Sequence, residues 1–273
     1  MEYNIRQLSF GEVLDRSLRI LIDNPVLLIG VSLILGLTAA MPRTGIAVGI
    51  LSLVYVSVVT PLVLAALTSA VSDTYLNKPV TIASAYQEAW SIILPVIGTY
   101  LLFYLVAILI VGGIFGLAFV FGTFAHSKGG GAVFALLFLV SGAIVVYLGI
   151  RWSLIGPIMI VERRFAMKAF SRSSELITGA WWRTFGILLV AGLIVRVPMG
   201  VLQIFWASIP VLGVILSCLV AAIATAYSGT AVVVYYFDRR CRVEDFDLRR
   251  LAEQIRSGTV QGSSAAMTGA PSA

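Results

Sequence analysis

Groups able to do acid–base, nucleophilic or metal chemistry are scarce in this chain of 273 residues. It carries one histidine, two cysteines and thirteen carboxylates. Hydrolytic or metal-assisted catalysis needs several such groups brought together, and a single imidazole, His126, leaves no His-based metal cluster within one subunit. His126 stands in HSKGGG beside Lys128 and three glycines, a setting that reads as a solvated loop. The triple glycine lacks the strand-to-helix context of a phosphate loop, and neither a Walker sequence nor HExxH occurs. No catalytic residue, cofactor or metal site is therefore expected. The residues that invite a role are mostly cations: Arg16, Arg19, Arg151, Arg163, Arg164, Lys168, Arg172 and Arg183, with Glu162 among them. Charges at the borders of apolar runs suit contact with anionic headgroups or a partner protein.

The elements that must position these residues follow from composition. The chain is 59% hydrophobic and 12% charged, with mean hydropathy +1.00. Soluble domains are about 45–50% apolar and about 25% charged, so the solvent here is lipid and the expected class is an all-α, polytopic membrane protein. Six apolar runs are long enough to draw as crossings, at 25–40, 46–71, 92–124, 132–161, 184–205 and 212–237. More than twenty residues precede the first, too many for a cleavable signal, so the N-terminus is expected to be retained. Cys218 and Cys241 would lie about 35 Å apart on one helix, beyond disulfide reach.

Lysines and arginines are retained on the cytoplasmic side of a bilayer. With six crossings, nearly all basic residues fall on one side and only Arg43 and Lys128 on the other. Both termini are thus expected in the cytoplasm. The net charge of +6 belongs to residues that border apolar runs, which favours headgroups and argues against nucleic acid. Residues 1–243 form the expected membrane domain, 244–256 a short cytoplasmic helix and 257–273 a disordered tail of small polar residues.

Before the first crossing, Ser9 and Glu12 in SFGEVLDRSLRILIDNP form a capping box that starts a helix. Phe10, Val13, Leu14, Leu18 and Leu21 would share its apolar face, with Glu12/Arg16 and Asp15/Arg19 as i,i+4 pairs opposite. Such a helix lies in the headgroup plane. Asn24-Pro25 then reads as an N-cap and first helical residue of a crossing. The pattern recurs with a second capping box at Ser84–Gln87 before the third run, and with AMKAFSRSSELITGAWWRTFG before the fifth, where no box occurs. A threefold repeat of interfacial helix plus hairpin is one possible organisation. Small residues four apart, at Gly45/Gly49, Gly112/Gly116, Ala118/Gly122 and Ser217, Ala221, Thr225, Gly229, are expected to pack within the chain's own bundle, with a homodimer interface as the alternative.

Arg151 interrupts the fourth run. A helix over 132–161 would be about 45 Å long, well beyond a core of about 30 Å, and two geometries fit. In one, Arg151 and Trp152 mark the interface and SLIGPIMIV continues as a segment buried against the interfacial helices. In the other, the helix tilts or kinks at Pro157 and Arg151 sits within the inner half of the membrane. Glu162 is expected to pair with Arg163, Arg164, Arg172 or basic residues of another unit. Arg196, beside Pro198, either snorkels to the headgroups or is buried.

The stretch Arg151-Trp152, Pro157, Glu162, Ala169, Arg172-Ser173, Leu176 and Gly179-Ala180-Trp181-Trp182-Arg183, flanked by SFGEVLDRSLRIL and by YYFDRRCR with DLRRLA, resembles the membrane domain attached to some bacterial glycerophosphodiester phosphodiesterases. It is similar also to related stand-alone six-helix proteins. The resemblance spans about Ser9 to Arg256 and implies a polytopic helical membrane module. It does not extend to phosphodiesterase activity, whose catalytic barrel with its metal ligands is not found in these residues, and it supplies no functional positions. Three readings follow. A non-catalytic module would contact anionic lipid or a protein partner through its basic helices. A transporter, channel-like or lipid-translocating component would use the interrupted third and fourth runs, although no carboxylate stands at mid-membrane. An enzyme would need interfacial chemistry from very few groups.

Overall fold

In lipid each peptide N–H and C=O must be satisfied within its own segment, and the apolar runs of this chain do so as helices. The computed structural model describes residues 6–37, 46–76, 78–124, 130–206 and 209–244. His126, Arg43, Lys128 and the expected elements beyond Glu244 lie outside the described residues. Ten helices form: α1 (Phe10–Asp23), α2 (Pro25–Gly36), α3 (Ile46–Tyr75), α4 (Ile82–Ser91), α5 (Ile93–Phe124), α6 (Gly130–Arg151), α7 (Ile155–Val161), α8 (Met167–Ile177), α9 (Trp181–Trp206) and α10 (Pro210–Glu244). No strand occurs among the described residues. Five segments are long and apolar enough to cross a bilayer, six when α1 and α2, bent 95° to one another, are taken as one broken element. The protein is an all-α, multi-pass membrane protein.

The centre of the bundle is α10 against α2 and α3, with α9 beside α10 and α5 beside α3; the hairpin partner of α5 is α6. Backbones approach where side chains are small. A Cβ on Gly36 would run into the Cys218 carbonyl, so α2 and α10 cross nearly backbone to backbone. The buried stripe on α10 is Cys218, Ala222, Ala226 and Thr230, one residue along from the expected Ser217–Gly229 stripe. Gly112 and Gly116 are instead exposed, and a Cβ on either would meet nothing within 4 Å among the described residues. Both cysteines are buried, and neither forms a disulfide.

The sharp turn between α1 and α2 is local in origin. Ser9 and Glu12 make the expected capping box: the Ser9 N–H donates to Glu12 Oε2 at 2.7 Å and the Glu12 N–H to Ser9 Oγ. The Ser9 N–H, the Arg6 guanidinium and the Ser9 hydroxyl together hold the Glu12 carboxyl down at about 2. Glu12 therefore pairs with Arg6 at 2.5 Å and not with Arg16, whereas Asp15 and Arg19 do pair at 2.8 Å. Val13, Ser17, Ile20 and Leu21 are the buried face of α1, while Leu18 and Ile22 are exposed. The expected apolar face is thus rotated: Ser17 is admitted because its hydroxyl donates to the Val13 carbonyl. Asn24 precedes Pro25 as expected, but its amide turns back to the Ile20 carbonyl instead of capping α2.

Two further expectations are corrected. The second capping box is Thr81 with Ser84, three residues before the expected Ser84–Gln87, because Thr81 is the extended residue whose hydroxyl reaches the Ser84 N–H. The run 132–161 is no single helix. It breaks at Trp152–Leu154, between α6 and α7, and the Trp152 ring turns to meet Phe103 and Phe170. The break places Pro157 in the first turn of α7, where a missing N–H leaves no bond unmade. Leu154, Ile155, Ile158, Met159 and Ile160 are buried, with α7 packed on α3 and α8.

Candidate functional site

Three clusters of charge gather where α3, α6 and α10 end and α9 begins. In the first, the buried Asp238 carboxylate (1% exposed) accepts from the Leu8 N–H at 2.8 Å, from Arg183 Nη2 at 3.0 Å and from Arg242 Nε at 3.0 Å. Arg183 and Arg242 each also donate to the Leu8 carbonyl at 2.6 Å. Both peptide groups of Leu8 are thereby fastened to the two last helices, and α1 is pinned across the bundle. Hydrogen bonds and ion pairs of this kind offset the cost of taking a polar group out of water.

In the second, Glu162 follows α7 and receives Arg172 Nε at 2.9 Å, Arg164 Nε at 3.3 Å and the Tyr236 hydroxyl at 2.9 Å, with Arg240 at 3.9 Å. Arg172 (6% exposed) also reaches Glu175 at 3.1 Å and Glu244. Burial alone would lower the Arg172 guanidinium, but its bonds to Glu244, Glu162 and Glu175 outweigh that and hold it above the usual arginine range. In the third, Glu88 on α4 accepts from Arg163 Nη2 at 2.6 Å and from the Ser69 hydroxyl of α3, and Lys78 lies 3.7 Å from Asp73.

Of the two geometries expected around Arg151, the structure has the buried segment of the first: the chain continues past it as α7, packed on α3 and α8. Arg151 Nε donates to Ser174 Oγ at 3.1 Å and its Nη1 to the Tyr147 hydroxyl at 2.8 Å. Ser173 Oγ donates to the Arg151 carbonyl at 2.9 Å, so α8 closes the end of α6. Arg16 donates to the Tyr75 hydroxyl at 3.1 Å. Of the nine candidate residues, Arg172, Arg183 and Glu162 thus serve internal clusters, and Arg19, Arg163, Arg164 and Lys168 are exposed. Arg196 is exposed on α9.

Arg163, Arg164, Lys168 and Arg172 line one open groove of about 820 Å³, with Phe165, Met167 and Glu175 also in its wall. The connection that carries them is tightly held. Arg163 and Ala166 adopt φ 52° and 51°, a left-handed region costing of order 1–3 kcal/mol at a non-glycine residue, and the Ala166 N–H is fixed to Thr99 Oγ1 at 2.9 Å. Among the described residues no three of His, Cys, Asp and Glu converge as a metal site would require.

The sequence reading missed Asp238, Glu88, Glu244, Arg240 and Arg242. Asp238/Arg242 and Arg240/Glu244 are i,i+4 pairs at the end of an apolar run, a signal that spacing does carry. Their partners at Leu8 and Arg172 are invisible to spacing. The chain matches no protein-family profile, no curated protein and no solved structure.

Proposed function

We propose that this chain is a non-catalytic module of a bacterial cytoplasmic membrane, with both termini in the cytoplasm, that gathers anionic lipid headgroups, or a partner protein carrying equivalent charge, on its basic end. The observation that carries this reading is the division of charge at that end. Asp238 and Glu162 are closed off by arginines inside the protein, while Arg19, Arg163, Arg164 and Lys168 remain exposed. Beside them stand exposed apolar side chains, Leu18 and Ile22 on α1, Trp90 on α4, Met167 on α8 and Trp182 on α9. Short helices with a protein-facing side, an apolar flank and a charged flank suit the acyl–headgroup boundary, which makes α1, α4 and α8 amphipathic interfacial helices on this reading. The excess of lysine and arginine gives the cytoplasmic orientation. The resemblance to membrane domains of bacterial glycerophosphodiester phosphodiesterases supports a bacterial inner membrane. Arg151 bound to α8, in place of a position facing a mid-membrane cavity, favours the module over transport.

The test is lipid selection. The full chain reconstituted in mixed phosphatidylcholine and phosphatidylglycerol, then extracted in mild detergent, is expected to retain phosphatidylglycerol above its bulk fraction, with the excess falling as salt rises. Retained lipid that mirrors the bulk mixture would falsify the proposal.

A further inference from the structure

We infer that the groove at the α7–α8 connection is a discrete binding site for one phosphate group, with Arg164 and Lys168 as its ligands; this rests on the proposed function and assigns that function an address. Four cations of the basic end are brought to one cavity here, which is large enough for a headgroup. They are not equivalent. Arg172 has its guanidinium engaged by Glu162, Glu175 and Glu244, and Arg163 donates to Glu88, so these two form the wall. Lys168 is exposed and makes no ion pair among the described residues, and Arg164 meets Glu162 through Nε alone. Its two terminal nitrogens have no acceptor among the described residues.

The chemistry of those donors selects the ligand class. A guanidinium edge with an ammonium beside it matches a tetrahedral oxyanion presenting several acceptors. Glu175 also lines the cavity, but its carboxylate is held by Arg172 at 3.1 Å. Two features separate this place from a diffusely basic surface. Arg164 projects from a connection fixed at three points, by Arg163 to Glu88, Arg164 to Glu162 and the Ala166 N–H to Thr99, and Lys168 from the first turn of α8 directly after it, so their spacing is set before a ligand arrives. Its rim also carries Met167, 70% exposed, where an acyl chain would lie if the phosphate belongs to a lipid. Arg19 offers the contrast: it is also exposed but lies on helix α1 outside the groove, paired with Asp15.

The experiment measures phosphatidylglycerol retained per full-length chain by native mass spectrometry in mild detergent, for the wild type, R164A/K168A, R164A/K168R and R19A. The site predicts a loss of about tenfold in R164A/K168A, partial recovery in R164A/K168R and less than a twofold change in R19A. Because Arg164 and Lys168 are exposed, an unchanged thermal transition in R164A/K168A checks that the fold persists. Millimolar inorganic phosphate names the source: displacement of the retained lipid assigns a soluble phosphate, persistence assigns a lipid headgroup, and both leave the site standing. Equal, small losses in R19A and R164A/K168A overturn the site while the proposed function stands. A wild-type chain with no preference for phosphatidylglycerol over phosphatidylcholine overturns both.

Discussion

Asp238 shows how one side chain decides where two distant parts of the chain meet. It has no exposed side-chain surface, and two arginines and the Leu8 N–H surround it. Removing one member of such a buried set leaves the others uncompensated, at a cost of about 3–5 kcal/mol, whereas an exposed pair contributes about 0–1 kcal/mol. Asp238→Ala is therefore expected to lower the thermal unfolding midpoint in detergent strongly, and Arg19→Ala to leave it nearly unchanged. Equal midpoints for the two variants would remove the clamp from the account. At this scale the sequence was informative about type and spacing. The Ser9–Glu12 box was legible because both its bonds are local. The partner of Glu12 was not, since Arg6 and Arg16 are both in reach on spacing alone and Tyr75, from α3, engages Arg16.

The helices themselves were legible wherever one solvent acts along the whole run. Apolar runs in lipid leave the backbone no alternative, and α3, α5, α9 and α10 follow them closely. The sequence left two courses open beyond Arg151, because a continuous apolar run reads the same whether lipid or protein covers it; the chain breaks at Trp152–Leu154 and α7 is covered by protein. Small residues posed a similar ambiguity. Gly112 and Gly116 have the spacing of a helix-packing motif and are exposed, while the isolated Gly36 lies against the backbone of Cys218. A methyl group at Gly36 must push a main chain aside, which costs about 1–3 kcal/mol or more. At Gly116 a methyl meets nothing among the described residues and gains up to about 1 kcal/mol of helix propensity. Unfolding of Gly36→Ala and Gly116→Ala in detergent is expected to shift the midpoint in opposite directions; shifts of the same sign would show that α2 and α10 do not cross at Gly36.

For the whole molecule, the short helices α1, α4 and α8 and the basic end share one side of the bundle, which makes orientation testable with a few thiols. Met167→Cys and Lys78→Cys, both at exposed positions, are expected to react with a membrane-impermeant maleimide in inverted vesicles and not in intact spheroplasts, and Ile209→Cys to do the reverse. The native cysteines are buried and shielded from the reagent. Labelling of Met167→Cys from outside the cell would invert the topology and with it the assignment to anionic lipid of the inner leaflet. Class, crossings and charge asymmetry were determined by sequence alone, because partition between water, headgroup and hydrocarbon depends on composition over short windows. Only the tertiary structure decided which arginines are occupied by carboxylates and which are left for a ligand. The reason is distance along the chain: Leu8 meets Asp238, and Arg172 meets Glu244, across more than half of its length or a quarter of it, and no local pattern encodes such a pairing.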